Sequence, residues 1–292
     1  MKKIILALTL SSLAFCSELE WGYGTIDMSG GFTGLNSTIS SNISTYTMTE
    51  KHKNIFASNL FFGYNLTIFD SEEMKQMQKS YNNYNKSSNL NTIPNYGTKL
   101  NKLSTISHRF KGLDLGATLG YDLLHKGERN YLGIGLYGGV SLPQIQSSGS
   151  SKYTDITKHI IKNSNTDLLS YKIGAGVYAQ KSLNKYISIY GSAIYAYQTG
   201  NIKNSFVKLD QSIDGKYLEL NAGLKFQAVK ADYDAGIISI NPRLYGTIGW
   251  RYREWQINKA NINLNNMHTS SGANGNMNIS SHAATAGFGY SF

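Results

Sequence analysis

The strongest constraint in the chain is a side-chain alternation with a period of two. In 113–123, Leu113, Leu115, Ala117, Leu119, Tyr121 and Leu123 alternate with Asp114, Gly116, Thr118, Gly120 and Asp122. The same pattern runs through 132–142, 169–179 and 218–228. Successive side chains of a strand point to opposite faces, so each segment carries one apolar and one polar face. Almost no segment repeats every 3.6 residues. No run of about 18 apolar residues exists, which excludes a helical transmembrane domain. Charged residues make up 16% of the 292, against about 25% in ordinary soluble domains. With 29 Gly, 21 Tyr and only 3 Pro, the composition suits many strands joined by polar turns.

A soluble sandwich also alternates, but three features place these strands in a membrane. The segments approach the 9–11 residues of a tilted bilayer crossing rather than the 5–6 of a typical soluble strand. The polar face carries Asp, Lys, Glu and Arg along with Gly, which suits a hydrated barrel interior. Trp21, Tyr23, Tyr195, Tyr197, Trp250, Tyr252, Tyr290 and Phe292 lie near strand ends, where interfacial aromatic girdles belong. Short connections at 125–130, 182–185 and 229–236 alternate with long polar ones at 70–104, 143–167, 200–213 and 257–277. That asymmetry gives short periplasmic turns and long extracellular loops.

Counting back from a last strand at 281–292 gives strands at 236–254, 214–229, 186–200, 168–181, 130–142, 106–124 and 54–69. The stretch 19–49 must then cross an even number of times, and 19–31 with 37–49 brings the total to ten. Eight is the alternative, should the Ser/Thr-rich 37–49 be a surface loop. The expected fold is all-β: a closed antiparallel transmembrane barrel. Closure follows because an unpaired strand edge in hydrocarbon costs several kcal/mol per group. Within 70–86, Asp70 or Ser71 could cap a short helix with Met74, Met77 and Tyr81 as its apolar stripe.

Residues 1–16 read as a secretory signal peptide, with Lys2 and Lys3 before an apolar Ile4–Leu10 and with Ala14 and Cys16 at −3 and −1 of a cut. The barrel domain is then 17–292. Acylation of Cys16 would need a small preceding residue, and Phe15 is large. Removing Cys16 leaves a chain without disulfides or a Cys metal site.

The chain ends HAATAGFGYSF, with Phe288, Tyr290 and Phe292 on one face and an aromatic terminus. This resembles the C-terminal strand of Gram-negative outer-membrane β-barrel proteins. The resemblance implies an outer-membrane location, contact with outer-membrane lipid and lipopolysaccharide, and recognition of Phe288, Tyr290 and Phe292 as an assembly signal by the barrel assembly machinery. Lys152, Lys158 and Lys162 in a long loop suit contact with anionic lipopolysaccharide, and no aromatic-basic motif supports nucleic-acid binding.

Phase places Asp114, Asp122, Lys172, Glu219, Lys225, Arg243 and Arg251 inside the barrel. Charges in a narrow lumen must pair or be hydrated. They either seal the interior among inward Tyr137, Tyr178, Tyr190 and Tyr245, with inward glycines making room, or they line a narrow porin path. A membrane-embedded hydrolase ranks last. The Asp-x-His pair of omptin-like aspartyl proteases does not occur, and Asp232-x-Asp234 lies in a short turn. His268-Thr-Ser270 has the His-x-Ser spacing of outer-membrane phospholipases and lipid A deacylases, but it lies in a Ser-rich loop with no acidic residue following. His108, His125, His159 and His282 are scattered singly, so no metal, cofactor or catalytic residue is assigned. The reading favours a non-enzymatic, side-chain-filled barrel serving envelope structure or surface interaction.

Overall fold

A computed structural model describes residues 18–32, 35–55, 59–73, 107–124, 130–148, 165–204, 209–227, 233–234, 239–240, 244–262 and 273–290. Ten antiparallel strands close into one barrel. They are β1 (Glu18–Phe32), β2 (Leu35–Ile55), β3 (Leu60–Ser71), β4 (Ser107–Asp122), β5 (Tyr131–Ser148), β6 (Thr166–Ser182), β7 (Ile187–Asn204), β8 (Leu209–Phe226), β9 (Leu244–Ile262) and β10 (Ala273–Tyr290). Each pairs with its neighbour in sequence, and β1 closes on β10. Strand 37–49 is a membrane-length strand paired on both sides, which settles the count at ten.

The register fixes the tilt. Starting at Glu18, the row of paired residues runs Thr49, Asn65, Gly116, Gly139, Lys172, Gln198, Gly215, Ile257 and Met277. It returns to β1 at Gly30, twelve residues beyond its start. A stagger of that size over ten strands tilts them by roughly 40°, within the range that closed barrels require.

Glu18 and Tyr290, the outer ends of β1 and β10, lie at one mouth, the terminal end, and the opposite mouth is the loop end. Connections at the loop end are 33–34, 72–106, 149–165, 205–208 and 263–272; those at the terminal end are 56–59, 123–130, 183–186 and 227–243. The last departs from the short turn expected at 229–236. It contains a two-residue ladder of Tyr233–Asp234 with Ser239–Ile240, and β9 begins at Leu244. Pro242 lacks the N–H that a barrel ladder needs, which disfavours an earlier start. At the other mouth β5, β7, β8, β9 and β10 all run past their expected limits, so the connection read as 200–213 shrinks to 205–208. Asp70 and Ser71, read as helix caps, are still in β3; the rest of that candidate helix lies outside the described residues.

These extensions have one physical cause, an inversion of the two faces along every strand. Toward the terminal end the outer wall is apolar, with Leu136 75% and Ile173 72% exposed beside Leu115, Leu119, Ile134, Val177, Ile189 and Ile248. From β4 into the residue that follows it, the outward parity from Leu113 to Leu123 spans ten residue steps, about 25 Å along the axis at this tilt, the height of an outer-membrane apolar band. Toward the loop end the same parity turns polar. On β7 the outward Tyr195 and Tyr197 give way to Thr199, Asn201 and Lys203, while Ile202 is buried inside. On β9 the outward Ile248 and Trp250 give way to Glu254 and Gln256, while Trp255 and Ile257 are buried inside. Asp27, Asn42, Asp70, Lys111, Gln144, Asp167, Lys216 and Asn278 mark the change on the other strands, opposite buried Ile26, Ile43, Phe69, Phe110, Leu168, Ile213 and Ile279 and half-buried Ile145. Polar contacts knit this outer collar: Arg109 Nε donates to Asp70 at 2.7 Å, Lys203 meets Asp210 at 3.1 Å, and Thr25 Oγ1 lies 2.7 Å from His282 Nε2. Trp21, Tyr23, Tyr195, Tyr197 and Trp250 are exposed on the wall as expected. Trp21 lies near the start of β1, whereas Tyr195, Tyr197 and Trp250 sit within their strands because these continue as a collar beyond them.

The inversion predicts that an outward charge is tolerated at one height and not at another. Leu136→Arg, mid-band, should cost about 2–4 kcal/mol, whereas Asn201→Arg in the collar should change stability by about 0.5 kcal/mol or less. Urea unfolding of the folded protein in lipid vesicles measures both.

Candidate functional site: the occupied barrel interior

The inward side chains form three layers. The middle layer is an ion-paired network built from seven strands. Lys172 on β6 donates from Nζ to both carboxylate oxygens of Asp114 on β4, at 2.8 and 2.7 Å, and its ammonium lies 3.5 Å from the centre of the Tyr217 ring. The Tyr217 hydroxyl donates to Glu219 Oε2 at 2.6 Å, both on β8. Arg253 on β9 donates from Nε to the same oxygen at 3.2 Å and from Nη2 to Thr67 Oγ1 on β3 at 2.8 Å. Arg251 donates from Nη1 to Thr47 Oγ1 on β2 at 2.7 Å. The same atom lies 2.8 Å from Glu20 Oε1 on β1, a charge contact rather than an aligned hydrogen bond. Three carboxylates (Asp114, Glu219, Glu20) face three cations (Lys172, Arg251, Arg253), so formal charge cancels across the lumen. All six are buried. Burying charges at such cost is tolerable only because each is paired, and all but Glu20 are hydrogen-bonded as well.

Toward the loop end lies a dry layer of Ile26, Met28, Ile43, Phe69, Phe110, Leu168, Ile202, Ile213, Trp255, Ile257, Met277 and Ile279. Phe69 and Phe110 stack with ring centres 5.1 Å apart, and Trp255 packs at 5.8 Å from Phe69 and 5.7 Å from Tyr217. Trp255 Nε1 donates to Ser141 Oγ at 3.2 Å. This layer departs from the hydrated interior that the sequence suggested. A sheet segment whose outer face is in water buries its apolar face inward, as any soluble domain does.

Toward the terminal end lies a layer of tyrosines and lysines. Lys51 Nζ lies 3.6 Å and Lys53 Nζ 4.6 Å from the Tyr131 ring centre, and Lys225 Nζ lies 3.4 Å from that of Tyr245. Phe61 meets Tyr131 and Tyr178 edge-on at 5.5 and 5.7 Å. Glycine makes this possible: a Cβ at Gly120 would sit 2.3 Å from the Phe61 ring, and one at Gly133 would sit 2.0 Å from the Tyr131 hydroxyl.

Of the charges assigned inward by phase, Asp114, Lys172, Glu219 and Arg251 meet in the network. Lys225 joins the terminal-end layer. Asp122 accepts from the backbone N–H groups of Leu124 and Leu132, at 3.1 and 3.3 Å, and shapes the turn there. Arg243 lies outside the described residues. Tyr137 and Tyr245 are buried, and Tyr178 and Tyr190 half-buried. Arg253 shares the parity of Arg251, and Glu20 that of Gly22 and Gly24, so phase alone could have found both. Phe288 is exposed on the outer wall and Tyr290 is half-buried; Phe292 lies outside the described residues. So do 1–17, His268, Ser270, His125, His159, Lys152, Lys158, Lys162 and Asp232. No group of three or more His, Cys, Asp and Glu suited to a metal occurs among the described residues.

No family model and no curated protein matches the chain. Among solved structures, the chain is similar to the translocator domain of the autotransporter NalP from Neisseria meningitidis, at 12% identity and TM-score 0.37, over 100% of this chain and 96% of that one. It is also similar to the attachment invasion locus protein Ail of Yersinia pestis, at 10% identity and TM-score 0.26, over 94% and 99%. A third is the toluene transporter TodX of P. putida, at 9% identity and TM-score 0.28, over 97% and 92%. The closed ten-strand barrel has the architecture that the C-terminal resemblance implies.

The network makes its own prediction. Asp114→Ala strands the Lys172 ammonium among Tyr217 and Trp255 and should cost about 3–5 kcal/mol. Adding Lys172→Met should restore most of that loss. Unfolding in vesicles, followed by tryptophan fluorescence, reads the pair.

Proposed function

We propose that this chain is a non-enzymatic, non-conducting integral barrel of the Gram-negative outer membrane, which carries its loops above the surface on a rigid collar. The observation that carries the reading is the occupied lumen. A solute would have to break the Asp114–Lys172–Glu219–Arg253–Arg251–Glu20 network and then part the dry layer around Trp255. Neither layer leaves the charged, hydrated lining that a selectivity path needs.

The location rests on the apolar outer band, the signal-peptide pattern of 1–16 and the aromatic C-terminal face. That orientation puts the Glu18 and Tyr290 ends of β1 and β10 on the periplasmic side and the collar outside. The collar holds the strand ends from which 72–106 and 149–165, the two longest connections at the loop end, depart above the apolar band. Its dry core stiffens the pedestal, which suits surface contact. Outward Lys111, Lys203 and Lys216 face the zone of anionic lipopolysaccharide headgroups. The barrel assembly machinery is the partner that the C-terminal strand suits. Among the described residues, the two filled layers favour the sealed reading over the narrow porin.

Planar-bilayer recording tests the proposal. The purified, folded protein should insert without stepwise conductance. Stable ohmic openings would overturn the sealed reading and favour the porin.

A further inference from the structure

We infer that the lumen at the terminal mouth holds a small soluble oxyanion of the phosphate type, bound by Lys51 and the Tyr131 hydroxyl with Lys53 and Lys225 beside them. The inference adds a ligand on the terminal side of the ion-paired network and stands whether or not the barrel conducts.

The first observation is a concentration of like charge. Lys51, Lys53 and Lys225 all have inward parity, and all three are half-buried, so solvent reaches them. The Lys51 ammonium lies 3.6 Å from the Tyr131 ring centre, 4.9 Å from that of Phe61 and 5.3 Å from that of Tyr178. The Lys53 ammonium lies 4.6 Å from the same Tyr131 ring, and Lys225 rests on Tyr245 at 3.4 Å. Lys51 is repelled by both Lys53 and Lys225. Aromatic faces soften such crowding but do not cancel it. Like charges gathered in a narrow, partly desolvated lumen are costly.

The carboxylates of this layer do not cancel that charge. Glu18 accepts from the Tyr245 hydroxyl and from Thr247 Oγ1, both at 3.1 Å. Asp122 attracts Lys51, yet its Oδ1 is taken by the turn N–H groups of Leu124 and Leu132. Three ammoniums thus meet two carboxylates in this layer among the described residues, whereas the network balances three with three.

The second observation is an orphaned donor. Tyr131 is 2% exposed, and its hydroxyl has no hydrogen-bond partner among the described residues. It belongs to the ring that carries both Lys51 and Lys53. A buried hydroxyl without a partner is unfavourable, and an ammonium beside it offers donors only.

An oxyanion supplies what these groups lack: negative charge with several acceptor oxygens, one for Lys51 and another for the Tyr131 hydroxyl. Chloride brings its charge as a single centre, and a metal cation is repelled. An anionic lipid also carries phosphate. Complete backbone pairing closes the wall, however, so a headgroup reaches this layer only around the mouth. The ligand is a soluble species that enters from the terminal side.

The test uses the full chain refolded in a neutral maltoside detergent, with inorganic phosphate as the probe. Thermal unfolding, read by heat-modifiable migration and circular dichroism, is followed as phosphate replaces chloride at constant ionic strength. Concentrations stay millimolar, below the range where phosphate stabilises proteins by exclusion from their surface. Wild type should show a saturable rise of the midpoint, as binding to the folded state requires. Acetate should give none. Lys51→Gln should weaken the apparent Kd by about tenfold, and Tyr131→Phe should weaken it by a smaller factor. Lys203→Gln, on the collar, should leave it unchanged. Each shift is read against that variant's own midpoint in chloride, so a change in basal stability does not enter. Phosphate-free vesicles of phosphatidylcholine, with and without phosphatidylglycerol, separate the sources: added phosphatidylglycerol should not reproduce the shift. A wild-type midpoint indifferent to phosphate, an unchanged Kd in either lumen variant, or loss of the shift in Lys203→Gln would each overturn the inference. So would equal stabilisation by acetate or by phosphatidylglycerol.

Discussion

A strand in a closed barrel has one parity for its whole length. Residues of one parity face the wall outside, and residues of the other face the lumen. What each face meets, however, changes at the edge of the hydrocarbon. Below that edge the outside is apolar, so the outward parity must be apolar, and the lumen accepts paired charges and tyrosines. Above it the outside is water, so the outward parity must be polar, and the lumen becomes an ordinary dry core. All ten strands of this chain make the change, and the structure is organised around it.

The change gives the barrel a division of labour. The membrane section is held by complete backbone pairing, because no unpaired N–H or C=O can be exposed to lipid. Its lumen uses Asp114, Lys172, Glu219, Arg253, Arg251 and Glu20 as cross-braces, drawing opposite walls together through charge that cancels locally. The collar uses the burial of Phe69, Phe110, Trp255 and their aliphatic neighbours, which is the principal stabilising force of soluble domains. Ser141 and Tyr217 contact Trp255 and Lys172, and so tie the two sections together. Among the described residues the strands run on from the apolar band into the collar without a change of element.

Much of the fold was legible because lipid-facing alternation is a strong pattern. Segments 113–123, 132–142, 169–179 and 218–228 carry it without interruption, and closure follows from physics once the membrane is accepted. The strand ends at the loop mouth were not legible for the same reason. There the outward residues are Asn201, Gln256 or Asn278, and a polar stretch with scattered isoleucines reads as loop. Ile202, Ile213 and Ile257 were the missed signal: apolar residues at the parity of Tyr190, Glu219 and Arg251, which phase already placed inside. Four of the six network charges followed from phase. Arg253 and Glu20 were readable by the same rule, one residue pair further along or in a Gly-rich strand.

The central claim is that the wall passes from lipid to water partway up each strand. The barrel domain proper contains no cysteine, so single cysteines can be placed along the outward parity of β7 at 193, 195, 197, 199, 201 and 203, spin-labelled, and measured in vesicles for collision with dissolved oxygen and with a water-soluble nickel chelate. The account predicts oxygen-dominated collisions at 193 to 197 and nickel-dominated collisions from 199 onward, with the lumen-facing positions 198 and 202 shielded from both. Uniform accessibility to nickel along the strand would contradict it.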